Sequence, residues 1–150
     1  MKILVTGKNG QLGCSIKNIV DNALNFLNCE FIFVGREELN FENVNSIRSY
    51  FEVNKFDIII NCAAYTSVDK AELAIKQANS INHIAVKELA RIAKFSNMKL
   101  IHISTDFVFN GDKKKPYTED DATSPINVYG ETKLAGELAI MATMKFNAII

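Results

Sequence analysis

The chain has 150 residues, of which 48% are hydrophobic and 23% charged, a composition typical of one globular domain with its own core. Seventeen basic residues balance seventeen acidic ones, so no net charge favours nucleic acid or an anionic membrane surface as a partner. No apolar run approaches the ~18 residues of a membrane span, and three scattered cysteines suit neither a disulfide framework nor a zinc site. The composition therefore predicts a cytoplasmic protein without a metal, nucleic-acid or membrane partner.

Short β-branched runs alternate with helical patterns along the whole chain. Apolar residues recur near a 3.6-residue period in the helical segments, whereas continuous apolar runs indicate strands buried on both faces. In chain order, the pattern predicts a strand over Lys2–Thr6, a helix from Gln11 to about Leu27, a strand over Phe31–Val34, a helix over Val44–Val53, a strand over Asp57–Asn61, a helical segment over Ala71–Phe95 interrupted around Asn79, Ser80, Asn82 and His83, a strand over Leu100–Ser104, a loop over 105–127, a helix over Val128–Met144 and a strand over Phe146–Ile150.

This alternation predicts an α/β fold, a doubly wound parallel sheet of the Rossmann type, in a single domain over residues 1–150. The loop over 105–127 is long for a compact domain, and such loops are usually functional. The chain stops inside the apolar run 148–150. We therefore expect a piece of a longer enzyme, truncated before a substrate domain.

A glycine-rich turn, Gly7-Lys8-Asn9-Gly10-Gln11-Leu12-Gly13, follows the first strand and opens the first helix. In such a turn one glycine reverses the chain, a second lets the backbone approach a pyrophosphate, and a third lets the helix pack on the sheet. The helix N-terminus then offers unpaired N–H groups to the phosphates. The turn predicts a dinucleotide site, although a tight strand-to-helix connection alone would also use these glycines.

The second strand ends in Gly35 and Arg36, where many dinucleotide-binding proteins carry an acid for the adenosine ribose. An arginine at this position can bind a 2′-phosphate, which favours NADPH over NADH. The alternative is a surface arginine beside Glu37 and Glu38.

A phenol and an ammonium lie four residues apart at the start of the last helix, in Tyr129 and Lys133, and therefore share a helix face. Because a nearby positive charge favours the phenolate, Tyr129 is a candidate proton donor. Thr105 follows the fourth strand, at the sheet edge where ligands bind in such folds. These three residues form the predicted catalytic set, whereas His102 and Cys62 are interpreted as structural.

Together these segments resemble the extended short-chain dehydrogenase/reductase family, and within it the reductases of dTDP-4-dehydrorhamnose. The resemblance covers nearly the whole chain. It lies in the segments 6–13, 61–66, 68–72, 103–109 with Gly111, and 125–137.

The resemblance implies NADPH- or NADH-dependent reduction of the C4 keto group of a nucleotide-linked deoxysugar, in the synthesis of cell-surface polysaccharide precursors. Tyr129 would donate the proton, Lys133 would hold the nicotinamide ribose with support from Asn82, and Thr105 would polarise the carbonyl. Contacts to the sugar nucleotide are implied for Thr105, Asp106 and Tyr129. Contacts to the cofactor are implied for Gly7, Gly10, Gln11, Leu12, Gly13, Arg36, Asn40, Phe41, Ala64, Tyr65, Thr66 and Lys133.

The resemblance places the remaining substrate contacts, and any interface metal such as Mg²⁺, beyond residue 150. It allows a homodimer of the full-length protein and implies that the 150-residue piece alone is inactive.

Two other functions fit the same fold. Sugar-nucleotide dehydratases and epimerases share the tyrosine–lysine pair, but Phe107 stands where a dehydratase needs an acid, and Gly35-Arg36 lacks the acid that favours bound NAD. A non-catalytic regulatory subunit, like the β subunit of methionine adenosyltransferase, is the second alternative. The intact set of Thr105, Tyr129 and Lys133 favours an enzyme.

Overall fold

The fold is built on one parallel β-sheet, as a computed structural model shows for residues 1–22, 28–145 and 148–150. In this part of the chain the sheet has five strands, in the order β2-β1-β3-β4-β5. All neighbouring pairs are parallel, which confirms the predicted α/β sheet. The strands are β1 (Lys2–Thr6), β2 (Glu30–Val34), β3 (Ile58–Asn61), β4 (Lys99–His102) and β5 (Ala148–Ile149).

Helices connect successive strands. They are α1 (Gln11–Asn22), α2 (Val44–Val53), α3 (Val68–Ala71), α4 (Ile75–Asn79), α5 (Ala85–Phe95) and α6 (Val128–Thr143). A π-helical segment (Ser80–Ile84) joins α4 to α5, and a 3₁₀ turn (Asp106–Val108) follows β4.

The predicted interruption of the helical segment 71–95 is wrong in its position. The chain stays helical through Ser80–Ile84, and the break lies at 72–74 instead. The polar residues that suggested a break include Asn82, which is buried. Its amide accepts a hydrogen bond from the Tyr65 N–H (2.8 Å) and donates one to the Tyr65 carbonyl (3.0 Å). The polar side chain is therefore hydrogen-bonded to another segment, and the helix continues through this position.

Other predicted boundaries differ by small amounts. The fourth strand ends at His102 rather than Ser104, and the last helix ends one residue early, at Thr143. The predicted end of α1 at Leu27 and the predicted start of the last strand at Phe146 lie outside the described residues.

The main core lies between the sheet and the helices on one of its faces. Leu4, Ile59 and Leu100 from the strands pack with Ile47 of α2 and Leu89 of α5, and all five are almost fully buried. Burial of each such side chain stabilises the fold by about 1.5–3 kcal/mol. Right-handed crossovers put α2, α5 and α6 on this face and α1 on the other.

This topology creates a crevice at the carboxyl ends of the strands. The strand order reverses between β1 and β3, so the loops that follow Thr6 and Asn61 diverge to opposite faces of the sheet. Ligands bind at such a switch point in open parallel sheets. In the described part of the chain, no helix is both long and apolar enough to cross a membrane.

Candidate active site

A cavity of about 860 Å³ opens at this crevice, within the roughly 300–1,000 Å³ common for small-molecule sites. It connects the glycine-rich turn after β1 to the start of α6. Its wall contains most of the predicted cofactor residues together with Tyr129: Gly7, Gly10, Gln11, Leu12, Arg36, Asn40, Phe41, Ala64, Tyr65, Thr66 and Lys133.

The turn after β1 needs its glycines for different reasons. Gly7 has a φ of 72°, and a Cβ there would lie 2.8 Å from the Cys62 carbonyl carbon, so only glycine fits. A Cβ on Gly13 would overlap the Gly7 carbonyl oxygen. Gly13 therefore lets α1 pack against the turn, and it lies outside the cavity wall. The first N–H groups of α1 open toward the cavity, where an anion would be stabilised.

Two cations lie near the end of β2, and each is paired with a glutamate. Arg36 forms an ion pair with Glu42, and Lys8 forms one with Glu38. The Glu38 carboxylate also accepts a hydrogen bond from the Gly35 N–H (2.8 Å). The Lys8 ammonium and this N–H hold the pKa of Glu38 below its usual value. Of the two cations only Arg36 lines the cavity, at the end where the sequence predicts the adenosine, and its charge is balanced there by Glu42.

The start of α6 is held firmly in place. The Asn127 side chain accepts a hydrogen bond from the Gly130 N–H (2.8 Å), and the Glu72 carboxylate accepts one from the Val128 N–H (2.9 Å). The Tyr129 ring packs edge-on against Phe107, with ring centroids 5.5 Å apart. These contacts fix the first turn of α6, which carries the predicted proton donor.

Lys133 is almost completely buried, with 1% of its surface exposed. Its Nζ donates a hydrogen bond to the Ile103 carbonyl (2.5 Å) and lies 3.2 Å from His102 Nε2. Burial lowers the pKa of Lys133 to about 8, although the Glu137 carboxylate acts in the opposite direction. The predicted support from Asn82 is indirect in the described contacts, because its amide donates to the Thr132 hydroxyl (3.1 Å), beside the lysine.

Thr105 and Asp106 lie next to the cavity but outside the wall formed by the described residues. They follow Ser104, which does line the cavity. The Thr105 hydroxyl oxygen accepts a hydrogen bond from the Phe107 N–H (3.2 Å) and caps the 3₁₀ turn.

The sequence interpretation missed a row of polar residues beneath the cavity. Thr6, Asn61 and His102 are the last residues of β1, β3 and β4, and they are direct neighbours across the sheet. All three are almost fully buried. The available signal was a polar residue at the carboxyl end of each of three apolar strands.

Cys62 follows this row and lines the cavity. Its thiol is half-buried, and burial raises the pKa of the thiol to about 11. The side chain is a neutral thiol at neutral pH, in agreement with the structural role inferred from the sequence.

Comparisons with known proteins agree with this geometry. Residues 1–150 match the family model described as "RmlD substrate binding domain". A dTDP-4-dehydrorhamnose reductase of Sinorhizobium fredii is 38% identical over 150 residues, covering 100% of this chain and 49% of the relative. The crystal structure of a dTDP-4-dehydrorhamnose reductase from Clostridium acetobutylicum superposes with a TM-score of 0.92 at 41% identity, covering 99% of this chain and 52% of that one.

A dTDP-4-dehydrorhamnose reductase from Bacillus anthracis, solved in complex with NADP, has a TM-score of 0.90 and 34% identity, covering 99% of this chain and 51% of that one. The chain thus spans about half the length of the relatives it matches. Because the family model matches from the first residue to the last, the chain belongs to the RmlD substrate binding domain family of extended short-chain dehydrogenase/reductases.

Proposed function

We propose that this chain is the dinucleotide-binding, proton-donating half of an NADPH-dependent reductase that converts dTDP-4-dehydrorhamnose to dTDP-rhamnose. One observation carries the proposal: a single cavity joins the glycine-rich turn to Tyr129 and Lys133. A dinucleotide can therefore extend from the turn to the start of α6. The sugar carbonyl would meet its nicotinamide end there. The named relatives act on this substrate.

The residues present fit a phosphorylated dinucleotide. Gly10 and the N-terminus of α1 leave room and N–H donors for the pyrophosphate. Arg36 lines the cavity and could bind a 2′-phosphate in place of its ion pair with Glu42, which supports NADPH over NADH. The bound cofactor would supply the hydride. A relative of 34% identity is in complex with NADP, which supports the same choice.

The proton comes from the chain itself in this mechanism. The Tyr129 hydroxyl donates to the carbonyl oxygen as the alkoxide forms. Lys133, at the same wall, holds the nicotinamide ribose and stabilises the phenolate that remains. Thr105 polarises the carbonyl, and with Asp106 it contacts the sugar nucleotide, since both follow the cavity-lining Ser104.

The second half of the relatives' length is the proposed location of the substrate domain. It would supply the remaining sugar and nucleotide contacts, any interface metal and the surface of a homodimer. We accordingly propose that the 150 residues alone do not turn over, and that the complete enzyme acts in the cytoplasm on precursors of cell-surface polysaccharide.

The test is reduction of dTDP-4-dehydrorhamnose by the full-length protein, followed through the loss of NADPH absorbance. Tyr129→Phe removes the acid and keeps the ring, so single-turnover hydride transfer should fall by roughly 10²–10⁴-fold. Dinucleotide affinity should change little. Tyr50→Phe, which removes a hydroxyl on α2 away from the cavity, is the matched control. A Tyr129→Phe rate within a few-fold of the parent would show that another group supplies the proton.

A further inference from the structure

A buried hydrogen-bonded chain runs beneath the cavity from β1 to α6. The Thr6 hydroxyl donates to Asn61 Oδ1 (2.6 Å), Asn61 Nδ2 lies 2.9 Å from His102 Nδ1, and His102 Nε2 lies 3.2 Å from Lys133 Nζ. All four side chains are at most 1% exposed. Because so little of these side chains is exposed, their polar atoms depend mainly on hydrogen bonds within the protein.

The neighbours of Asn61 determine which way its amide points. The Ala63 N–H, which can only donate, is shared between the Thr6 hydroxyl oxygen (3.2 Å) and Asn61 Oδ1 (3.3 Å), and the Thr6 hydroxyl in turn donates to Asn61 Oδ1. The other end of the amide, Nδ2, therefore faces His102 and donates to its Nδ1.

This contact determines where His102 carries its proton. Burial is the largest cause that lowers the pKa of His102, to about 3, and a charged Lys133 would act in the same direction, so the imidazole is neutral whichever form the lysine takes. A neutral imidazole has one N–H. Since Nδ1 accepts from Asn61, the proton is on Nε2 and points at Lys133 Nζ.

A neutral amine at Lys133 completes this arrangement. Its lone pair accepts from His102 Nε2–H, one N–H donates to the Ile103 carbonyl, and the other faces the cavity. An ammonium has three N–H groups and no lone pair, so one N–H would oppose the imidazole N–H.

The surroundings of Lys133 contain little negative charge. The titratable side chains that face it are His102 from β4, Cys62 from the end of β3, and Tyr129 and Glu137 from α6. The thiol and the imidazole are neutral, and the Glu137 carboxylate already accepts a hydrogen bond from the Ser104 hydroxyl. A dinucleotide would bring additional negative charge into this cavity.

We propose that His102 is a positioning residue whose Nε2–H stabilises the neutral form of Lys133 in the free protein, and that binding of the anionic dinucleotide shifts Lys133 toward the protonated form. This rests on the proposed function. Reduction of a carbonyl by NADPH consumes one proton. Above about pH 8, where free Lys133 is neutral, that proton enters at cofactor binding, resides on Lys133, and restores the Tyr129 hydroxyl after Tyr129 has protonated the alkoxide. Below that pH, Lys133 already carries the proton before the cofactor binds.

The first measurement is the imidazole tautomer in the free protein, from the two ¹⁵N chemical shifts of His102 above the Lys133 pKa of about 8. Absence of the signal in His102→Gln assigns it. We expect a protonated Nε2 and an unprotonated Nδ1. A proton on Nδ1 overturns the proposal. This measurement does not depend on catalysis. It therefore tests the position of the His102 proton even if the protein proves not to be a reductase.

The second measurement is proton uptake on NADP⁺ binding, by calorimetry in buffers of different ionisation enthalpy. Above the Lys133 pKa, uptake should approach one proton per site. It should fall by more than half in His102→Gln, because the glutamine carbonyl can accept from an ammonium and Lys133 is then already protonated. His83→Gln, whose imidazole contacts Asn79 instead, is the matched control and should retain the uptake. Equal uptake in both variants overturns the proposal.

Discussion

At the scale of single residues, Lys133 is the most unusual group in the site. A lysine that is 1% exposed and lacks a directly hydrogen-bonded carboxylate among the described contacts is costly to keep charged. Burial lowers its pKa from 10.5 to about 8. The same position reaches the cavity, where the proposed function requires an amine.

This burial makes stability depend on pH in a predictable direction. Below about pH 8 Lys133 is protonated in both the folded and unfolded states; between about 8 and 10.5 only the unfolded state retains the proton. The free energy of unfolding of the parent, relative to Lys133→Met, should therefore rise over this window, by roughly 2–3 kcal/mol. Urea titrations across the window measure it. The parent measured relative to Lys94→Met, a change at an exposed position of α5, should show no such rise. If the stability of Lys133→Met followed the same course with pH as that of the parent, the prediction would be contradicted.

Arg36 determines cofactor choice if its side chain binds the 2′-phosphate. Arg36→Asp should weaken NADPH binding by roughly 10–100-fold and make NADH the better ligand, because a charge-assisted hydrogen bond is replaced by repulsion. Fluorescence titration with both cofactors gives the ratio. Lys94→Asp makes the same change in net charge away from the cavity and should leave the preference unchanged. A parent protein with a strong NADH preference would exclude this role for Arg36.

At the scale of elements, the site depends on how closely α6 approaches the π-helical segment. A Cβ on Gly136 would overlap the Asn82 carbonyl oxygen, so the two backbones are in direct contact there. The Asn82 side chain then spans from the Tyr65 backbone to Thr132. This packing sets the distance between the strand-end loop and the helix that carries Lys133.

Gly136→Ala tests this close approach. In an ordinary helix interior the change would stabilise by about 0.5–1 kcal/mol. Here the added methyl must push α6 away from Asn82, so we expect a loss of roughly 1–3 kcal/mol in the free energy of unfolding. Denaturant titration of the parent and Gly136→Ala shows whether the free energy of unfolding falls or rises. A gain in stability would mean that the two elements separate without cost.

The same segment shows why sequence alone located this helix imperfectly. Asn79, Ser80 and Asn82 suggested an interruption, because local propensity treats such residues as helix breakers. The hydrogen bonds that compensate Asn82 come from Tyr65 and Thr132, which are 17 and 50 residues away from it in the chain. Partners so distant in sequence leave no local signal. The break at 72–74 likewise lacks a glycine or proline to mark it.

At the scale of the whole molecule, the sheet brings together residues from distant segments of the chain at the carboxyl ends of its strands. The apolar alternation predicted this sheet because its signal is local and repeated along the chain. The glycine turn and the Tyr129–Lys133 pair were predictable for the same reason, since each lies within one segment. The chain from Thr6 through Asn61 to His102 was not, because it depends on the register between strands.

Filling the cavity should stabilise the entire fold. NADP⁺ at about 100 times its dissociation constant should raise the free energy of unfolding by about 2.7 kcal/mol. Gly10→Ala should still fold, at a small cost in stability, because its added Cβ would make a tight 3.3 Å contact with the Gly7 carbonyl oxygen without overlapping it. Its methyl group would block the pyrophosphate. Thermal unfolding with and without NADP⁺ measures both proteins. If NADP⁺ stabilised the parent and Gly10→Ala equally, the dinucleotide would bind at a site other than this cavity.

The half-buried thiol of Cys62 limits how this site could be targeted chemically. With a pKa of about 11, roughly one thiol in ten thousand is ionised at neutral pH, and only the thiolate is strongly nucleophilic. An electrophilic inhibitor designed to reach Cys62 through the cavity would therefore react slowly, and it would meet the exposed Cys14 first. Reversible compounds that form a hydrogen bond or an ion pair with the buried amine of Lys133 are the better choice for an inhibitor of this site.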